Sequence, residues 1–297
     1  MGKLINGKLI AEKVLKRNAK QIIQLKKQGI IPKLAVILVG ADKPSQIYVN
    51  KKKEAAEKIG LGFVLYKIKS KITTEKLIEK VKKIQQDKDL SGIIIQLPLP
   101  KHIDTNLVLN HINPDIDVDF LSQTSQEQLK KGINKLLPPT PGAIMEILKE
   151  IKINPTGKNV VIIGKGVLVG KPLYHIMKHR GANITVCDSK TKNIKKKCLQ
   201  ADILITGVGK QNLVRGEMIK PDAIVIDAGT IFIKKKLYGD VNLAEVKTKA
   251  AYVTPTPGGV GPITVTLLLQ NTIESAKNMS RAILTKTIKV DKIHPTD

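Results

Sequence analysis

Val160-Val161-Ile162-Ile163-Gly164-Lys165-Gly166-Val167-Leu168-Val169-Gly170 decides how this chain is read. The opening run of branched aliphatics suits a strand buried on both faces. The glycines that follow, spaced G-x-G-x-x-x-G, allow a sharp turn and let a ligand come close to the backbone. A helix is predicted over Lys171 to His179, and Ile184-Thr185-Val186 reads as the next strand. Strand, glycine turn and helix start are the context a phosphate-binding loop requires, because unpaired N–H groups at a helix start face the anion. The spacing is one residue longer than the common dinucleotide fingerprint. Asp188 stands at the end of the following strand, where an acid commonly binds the ribose hydroxyls of NAD. An ordinary βαβ turn with a surface aspartate is the plain alternative.

Outward from this segment, strand-like and helical stretches alternate, the pattern of an α/β protein with parallel sheets. Toward the N-terminus, strands are expected at Leu34 to Val39, Phe63 to Ile68 and Ile93 to Leu97. Helices are expected from Leu9 to Lys27, Ser45 to Ile59 and Thr74 to Gln86, with Gly29 and Gly60 ending the first two. Pro138-Pro139-Thr140-Pro141 marks a boundary, with Thr140 as cap and Pro141 opening a helix from Gly142 to Ile151. Beyond it, further strands are expected at Ile203 to Ile205 and Ile224 to Ile226, and this half reads as a dinucleotide-binding domain.

Composition narrows the function. The 297 residues suffice for about two domains, and 42% apolar content supports a real core. No run reaches the roughly 18 apolar residues of a membrane span, and the start lacks the apolar region of a signal peptide. Cys187 and Cys198 make neither a disulfide framework nor a zinc cluster, so no metal site is expected and a reducing cytoplasm is the simplest location. The net charge of +26 invites a nucleic-acid reading. Against it, the lysines are spread over every expected helix, and aromatics, at 3%, offer few stacking platforms. An anionic small-molecule ligand fits the charge as well.

Other segments can carry chemistry. Thr254-Pro255-Thr256-Pro257-Gly258-Gly259-Val260-Gly261-Pro262 is a rigid loop between an apolar run, Ala250 to Val253, and an apolar helix, Ile263 to Leu269. Open α/β sheets place ligands at such strand ends. Tyr48 and Lys52 lie one helical turn apart and share a face, so they could polarise a substrate or move protons; a solvated face is the bland reading in so lysine-rich a chain. Gln96 ends an aliphatic strand just before Leu97-Pro98-Leu99-Pro100, where a polar side chain needs a partner or a ligand. Asp117-Val118-Asp119 lies in a loop, where turn and capping roles compete with binding.

Together these segments resemble the bifunctional methylenetetrahydrofolate dehydrogenase/cyclohydrolase family. Tyr48-Val49-Asn50-Lys51-Lys52 matches its Tyr-Val-x-x-Lys pattern, and Gln96 to Pro100, Asp117 to Asp119 and Thr254 to Pro262 match the others in order and separation. The resemblance covers essentially the whole chain. It implies an α/β fold of two domains flanking a cleft: an N-terminal catalytic, folate-binding domain, 1–139, and a Rossmann-like, parallel-sheet cofactor domain, 140–269, with a C-terminal helix, 270–297, packing back on the first. It implies oxidation of 5,10-methylenetetrahydrofolate with NAD(P)⁺ to the methenyl cation, then hydrolysis to 10-formyltetrahydrofolate. By the same resemblance Lys52 is the principal group of hydrolysis, Gln96 holds Lys52 and tunes its proton affinity, Tyr48 stacks on the folate and Asp119 binds the pterin. Ser45, Pro257, Gly258 and Gly259 contribute to the substrate site. Gly164, Lys165, Gly166, Gly170, Asp188, Ser189 and Thr230 contribute to the cofactor site. A homodimer through the cofactor domains is the implied assembly, with no nucleic-acid or membrane partner.

The chain departs from the family pattern in places. Phe120 stands where the family usually has Gly, Glu54 where it has a second Lys, Lys165 and Gly166 where it often has Arg and Ser, and Asp188 where it usually has His. An Arg and a Ser suit a ribose phosphate, whereas Asp188 would repel one; Lys165 could pair with it, without the bidentate geometry of Arg. NADP is expected from the family and NAD is its rival because of Asp188. A dehydrogenase lacking hydrolysis is the functional alternative, against which Lys52, Gln96 and Asp119 all stand intact.

Overall fold

A computed structural model describes residues 2–134, 136–234 and 236–291, with side chains described up to position 281. Along the chain run β1 (Lys3–Leu4), α1 (Gly7–Lys27), β2 (Lys33–Val39), α2 (Lys43–Ile59), β3 (Gly62–Ile68), α3 (Thr74–Ile84), β4 (Gly92–Ile95), α4 (Thr105–Leu109), α5 (Gln123–Lys131) and α6 (Pro139–Glu150). They are followed by β5 (Asn159–Ile163), α7 (Gly170–His179), β6 (Asn183–Cys187), α8 (Ile194–Cys198), β7 (Ile203–Thr206), β8 (Ile224–Asp227), β9 (Ile231–Ile233), β10 (Lys236–Tyr238), α9 (Leu243–Val246), β11 (Tyr252–Val253) and α10 (Val260–Asp291). The chain divides into two compact units, Leu15–Ser125 with Leu268–Asp297, and Met1–Val14 with Gln126–Leu267.

The first unit is built on a three-stranded parallel sheet, ordered β3-β2-β4. Successive residues of a strand point to opposite faces, and β2 is aliphatic on both. Leu34, Val36 and Leu38 meet Ile22 and Leu25 of α1, Val49 and Ala56 of α2, and Leu268, Leu269 and Ile273 of α10. Ala35, Ile37 and Val39 meet Leu77 and Val81 of α3 with Ile103 and Val108. Gln96 directly follows β4, and Lys52 is carried by α2, the helix that follows β2. Asp117 extends the sheet by one parallel bridge to Ile93.

The second unit carries a six-stranded sheet, β1-β11-β8-β7-β5-β6, parallel at every pairing. β7 and β8 are buried along their whole length. The boundary expected at 139/140 differs from this division. Residues 2–14 join the larger sheet because β1 pairs with β11, and because Gly7 lies so close to Gly259 that a Cβ there would sit 1.8 Å from its carbonyl oxygen. Residues 126–139 join it because Leu129 packs with Ile144, Ile176 and Met177.

Several local expectations are corrected. α2 begins at Lys43, where the Asp42 carboxylate accepts from Ser45 N–H at 2.9 Å. α6 begins at Pro139 with Pro138 in the cap position, so Thr140 lies inside the first turn and does not cap. β4 stops at Ile95, although Gln96 N–H still donates to Ile37 O at 2.9 Å. α10 runs far beyond Leu269. Its polar residues interrupt the apolar pattern yet find partners: Asn271 Nδ2 donates to Val118 O at 3.0 Å and Thr272 Oγ1 to Leu268 O at 3.1 Å. Of the helix expected over 270–297, residues 292–297 lie outside the described residues.

Candidate active site

α2 is anchored to its sheet by buried Ser45, Val49, Ala56 and Ile59. That register carries Tyr48 and Lys52 at half-buried positions. Lys52 Nζ donates to Gln96 Oε1 at 2.8 Å, while Gln96 Nε2 donates to the carbonyl of Leu97, also at 2.8 Å. The second bond fixes which way the amide faces: its donor side is spent on backbone, and its oxygen is left for Lys52. Burial holds the Lys52 ammonium below its ordinary pKa, and the charge of Asp119 works against that fall. Burial pushes Asp119 up to about 6, opposed by Lys52 and reinforced by Asp117. The cluster therefore holds an ammonium that gives up its proton more readily than usual beside a carboxyl that takes one up near neutrality. Such pairs suit general acid–base work. The aromatic ring of Tyr48 lies 5.9 Å from Lys51 Nζ, the neighbour of Lys52 on the helix.

The loop bearing Asp119 is firmly built. Asp117, 3% exposed, accepts from Ser122 N–H at 2.9 Å and Leu121 N–H at 3.3 Å. From α10, Ser275 Oγ donates to Asp115 O at 2.8 Å and Asn271 reaches Val118 O. Of the two acids in Asp-Val-Asp, Asp117 thus organises the turn and Asp119 serves the cluster. Phe120 stands at φ 60°, in the left-handed region that favours glycine, with its side chain only 5% exposed.

In the six-stranded unit, the glycine turn joins β5 to α7. Gly164, at φ 109°, donates its N–H to Cys187 O at 2.8 Å. A Cβ on Gly170 would lie 1.9 Å from Gly164 O, so only glycine lets the helix start fold onto the turn. At Gly166 no described atom beyond its chain neighbours comes within 4 Å of where a Cβ would sit, which leaves the backbone open to a ligand. An open glycine turn leading into a helix fits the phosphates of a dinucleotide. Lys165 Nζ pairs with Asp188 Oδ2 at 2.7 Å. Asp188 also accepts from Lys190 N–H at 3.0 Å and Thr191 Oγ1 at 3.1 Å. These bonds, Lys165 foremost, hold its carboxyl down at about 2. Ser189 and Thr230 are exposed at the ends of β6 and β8. Gly258 takes φ 104°, and Gly259 is packed so that a Cβ would approach Pro255 O to 2.5 Å; the Thr256–Pro257 bond is cis.

The structure thus brings Lys52, Gln96 and Asp119 together in one unit, and Gly164, Lys165, Gly170 and Asp188 together in the other. Sequence reasoning missed Asp227 and Asp240, both buried acids of the six-stranded unit. A polar residue ending the aliphatic run Ile224-Val225-Ile226 was the available signal, of the same kind that marked Gln96.

Comparison with known proteins accounts for both units. Residues 5–119 match the model of the tetrahydrofolate dehydrogenase/cyclohydrolase catalytic domain, and residues 138–280 match that of the NAD(P)-binding domain of the same enzymes. The chain belongs to the tetrahydrofolate dehydrogenase/cyclohydrolase family. Among members of this family, the bifunctional protein FolD of Acetivibrio thermocellus is 42% identical over 276 residues, 93% of this chain and 97% of that one. The crystal structure of bifunctional FolD from Campylobacter jejuni has a TM-score of 0.91 at 38% identity, covering 94% of this chain and 99% of that one. FolD from Trypanosoma brucei, solved with NADP and an inhibitor, has a TM-score of 0.90 at 34% identity, with the same coverage. As a family member the chain has a mixed α/β fold of two domains, one of them NAD(P)-binding. Among the described residues, no helix is long and apolar enough to cross a membrane, and no cluster of His, Cys, Asp and Glu is suited to a metal.

Proposed function

We propose that this chain oxidises 5,10-methylenetetrahydrofolate with NADP⁺ and hydrolyses the resulting methenyl compound to 10-formyltetrahydrofolate. The observation that carries the proposal is the Lys52 Nζ to Gln96 Oε1 bond beside Asp119. The dinucleotide, when bound, supplies the hydride acceptor. The chain's own residues do the rest. Lys52, easier to deprotonate than an ordinary lysine, exchanges a proton with the attacking water and stabilises the charge that develops. Gln96, a neutral acceptor, holds the Lys52 nitrogen without raising its pKa as a carboxylate would. Asp119, with its pKa near neutrality, accepts hydrogen bonds from the pterin amino group and ring nitrogen. Tyr48 offers a ring face to the folate, with Ser45 one turn before it on α2; for Pro257, Gly258 and Gly259 a substrate role is proposed by family analogy alone.

For the cofactor, Gly164, Gly166 and Gly170 receive the phosphates, with Lys165, Asp188, Ser189 and Thr230 around the ribose. Two observations favour NADP over NAD. The Trypanosoma brucei relative is complexed with NADP. Lys165 also balances Asp188, so a ribose phosphate meets a paired carboxylate and not a bare one. By family analogy alone, the protein is proposed to work as a homodimer through its cofactor-binding halves, in the cytoplasm; sedimentation equilibrium checks the assembly.

Initial rates with methylenetetrahydrofolate and NADP⁺ or NAD⁺, following methenyl formation and decay, test the proposal. Reduction faster with NADP⁺, with methenyl decay above the buffer rate that Lys52→Ala abolishes, is the expected result. Reduction without enzyme-dependent decay would leave a monofunctional dehydrogenase, and no turnover with either dinucleotide would refute the assignment.

A further inference from the structure

Two buried carboxylates take no part in the chemistry proposed above. Asp227 ends β8 and Asp240 follows β10; they are 2% and 0% exposed. Among the described residues neither forms an ion pair; Asp227 is satisfied by backbone donors, and Asp240 by backbone donors and one hydroxyl. Asp227 Oδ1 accepts from Gly229 N–H at 3.0 Å and Asp240 N–H at 3.1 Å, and its Oδ2 from Val241 N–H at 3.0 Å. Asp227 N–H donates to Thr254 Oγ1 at 2.7 Å. Asp240 is more heavily used. Its Oδ2 accepts from Thr206 Oγ1 at 2.6 Å and Val208 N–H at 2.7 Å, and its Oδ1 from Gly209 N–H at 2.8 Å and Lys210 N–H at 2.7 Å.

Those donors all belong to the segment leaving the C-terminal end of β7. β7 lies between β5 and β8 in a parallel sheet, so this segment emerges on the same edge as the glycine turn that follows β5. The two segments are in contact. A Cβ at Gly164 would lie 3.1 Å from Gly207 O, and one at Gly207 would lie 3.0 Å from the Val169 side chain. Gly209 is held at φ 80°, where its would-be Cβ is 3.2 Å from the carbonyl of Thr230. Gly229 is required because the Asp240 carboxyl occupies the space of its Cβ, at 2.1 Å. One carboxylate therefore sets the backbone of 206–210, and that backbone supports the glycine turn on one side and Thr230 on the other.

We infer that Asp240 is a positioning residue for dinucleotide binding: its carboxylate, through Thr206, Val208, Gly209 and Lys210, holds the loop after β7 in the shape that shapes the glycine turn. The inference rests on the dinucleotide reading of that turn. It also makes a chemical distinction. A carboxylate offers acceptors on both oxygens. An Asn side chain has one oxygen: with its amide group toward Thr206 the hydroxyl can turn to accept but Val208 N–H loses its acceptor, and with the amide on the other side Gly209 and Lys210 N–H both do. Asp240→Asn therefore sets an amide N–H against at least one backbone N–H of the loop while keeping the volume.

The test is equilibrium binding of NADPH, read by its fluorescence, to the full-length protein and to Asp240→Asn and Thr206→Val. Thr206→Val removes a single donor and leaves the carboxylate in place. The expected result is an NADPH Kd raised about 10-fold or more by Asp240→Asn and about 2- to 5-fold by Thr206→Val. Cyclohydrolase turnover of pre-formed methenyl substrate, which uses no dinucleotide, should fall by a smaller factor than NADPH affinity does. If Asp240→Asn does not fold, Thr206→Val decides. An unchanged Kd in a folded variant, or equal losses in both readouts, would overturn the positioning role. Failure of the unmodified protein to bind NADPH would instead overturn the dinucleotide reading, and the inference with it.

Discussion

Asp119→Asn should make the protein more stable and less active. The carboxyl of Asp119 moves from an ordinary 3.8 to about 6 because burial outweighs the attraction of Lys52. That rise, at about 1.36 kcal/mol for each tenfold change in proton affinity, costs the ionised folded protein about 3 kcal/mol. The sign follows from the order of titration. Below pH 3.8 the group is protonated in both the folded and unfolded chain, so it contributes nothing. As pH rises from there to about 6, the unfolded chain releases its proton first and is favoured. Above that range the folded protein bears the full cost. The Asn variant, which never ionises, should therefore match the parent near pH 3.5 and exceed it by up to about 3 kcal/mol at pH 8, or about 6–12 °C in melting temperature. The attraction to Lys52 is already contained in the shift and is not subtracted again. Thermal melts of both proteins from pH 3.5 to 8, with folate turnover at each pH, give the answer. A variant that melts at or below the parent at pH 8, or a difference independent of pH, would refute the burial argument; full activity would remove Asp119 from the site. Stability gained where function is lost is the usual trade at such positions.

Gln96→Glu places a carboxylate against Lys52, raising its pKa, so the cyclohydrolase pH profile should move upward by about a unit; an unmoved profile would separate Gln96 from Lys52. Phe120→Gly relieves a left-handed residue, a gain of about 1–2 kcal/mol, but removes a buried aromatic side chain, a loss of about 3–5 kcal/mol. Urea denaturation should show the variant weaker by about 1–4 kcal/mol, and a stabilised variant would mean that the backbone conformation dominates. Asp188→Ala frees Lys165 from its partner, so the ratio of kcat/KM for NADP⁺ over NAD⁺ should rise several-fold. A constant ratio would take Asp188 out of dinucleotide selection.

Much of the fold was legible in the chain. β2, β4, β5, β7 and β8 are built on aliphatic runs because both of their faces are covered, and such runs between helices imply parallel sheets. β1 and β11 were not readable as a pair, since two-residue strands carry no period; they belong to the sheet only because distant segments meet. The hairpin of β9 and β10 was missed for the same want of pattern. Within the site, Gln96 was marked by its place after an aliphatic strand, and Gly164 to Gly170 by their spacing. The roles of Lys52 and Asp119 came through resemblance, because in a chain of net charge +26 a single lysine carries no local signal.

By itself the sequence determined the alternation of strands and helices, the glycine turn and the family, since these depend on local pattern and on motifs written contiguously. Tertiary structure alone decided how the Gln96 amide is fixed to present its oxygen to Lys52, that Asp117 builds its turn, that Lys165 pairs with Asp188, and that Asp240 anchors the loop after β7. Each of these depends on burial and on which donor lies within about 3 Å of which acceptor, and residues far apart in the chain acquire that proximity only when the sheets form.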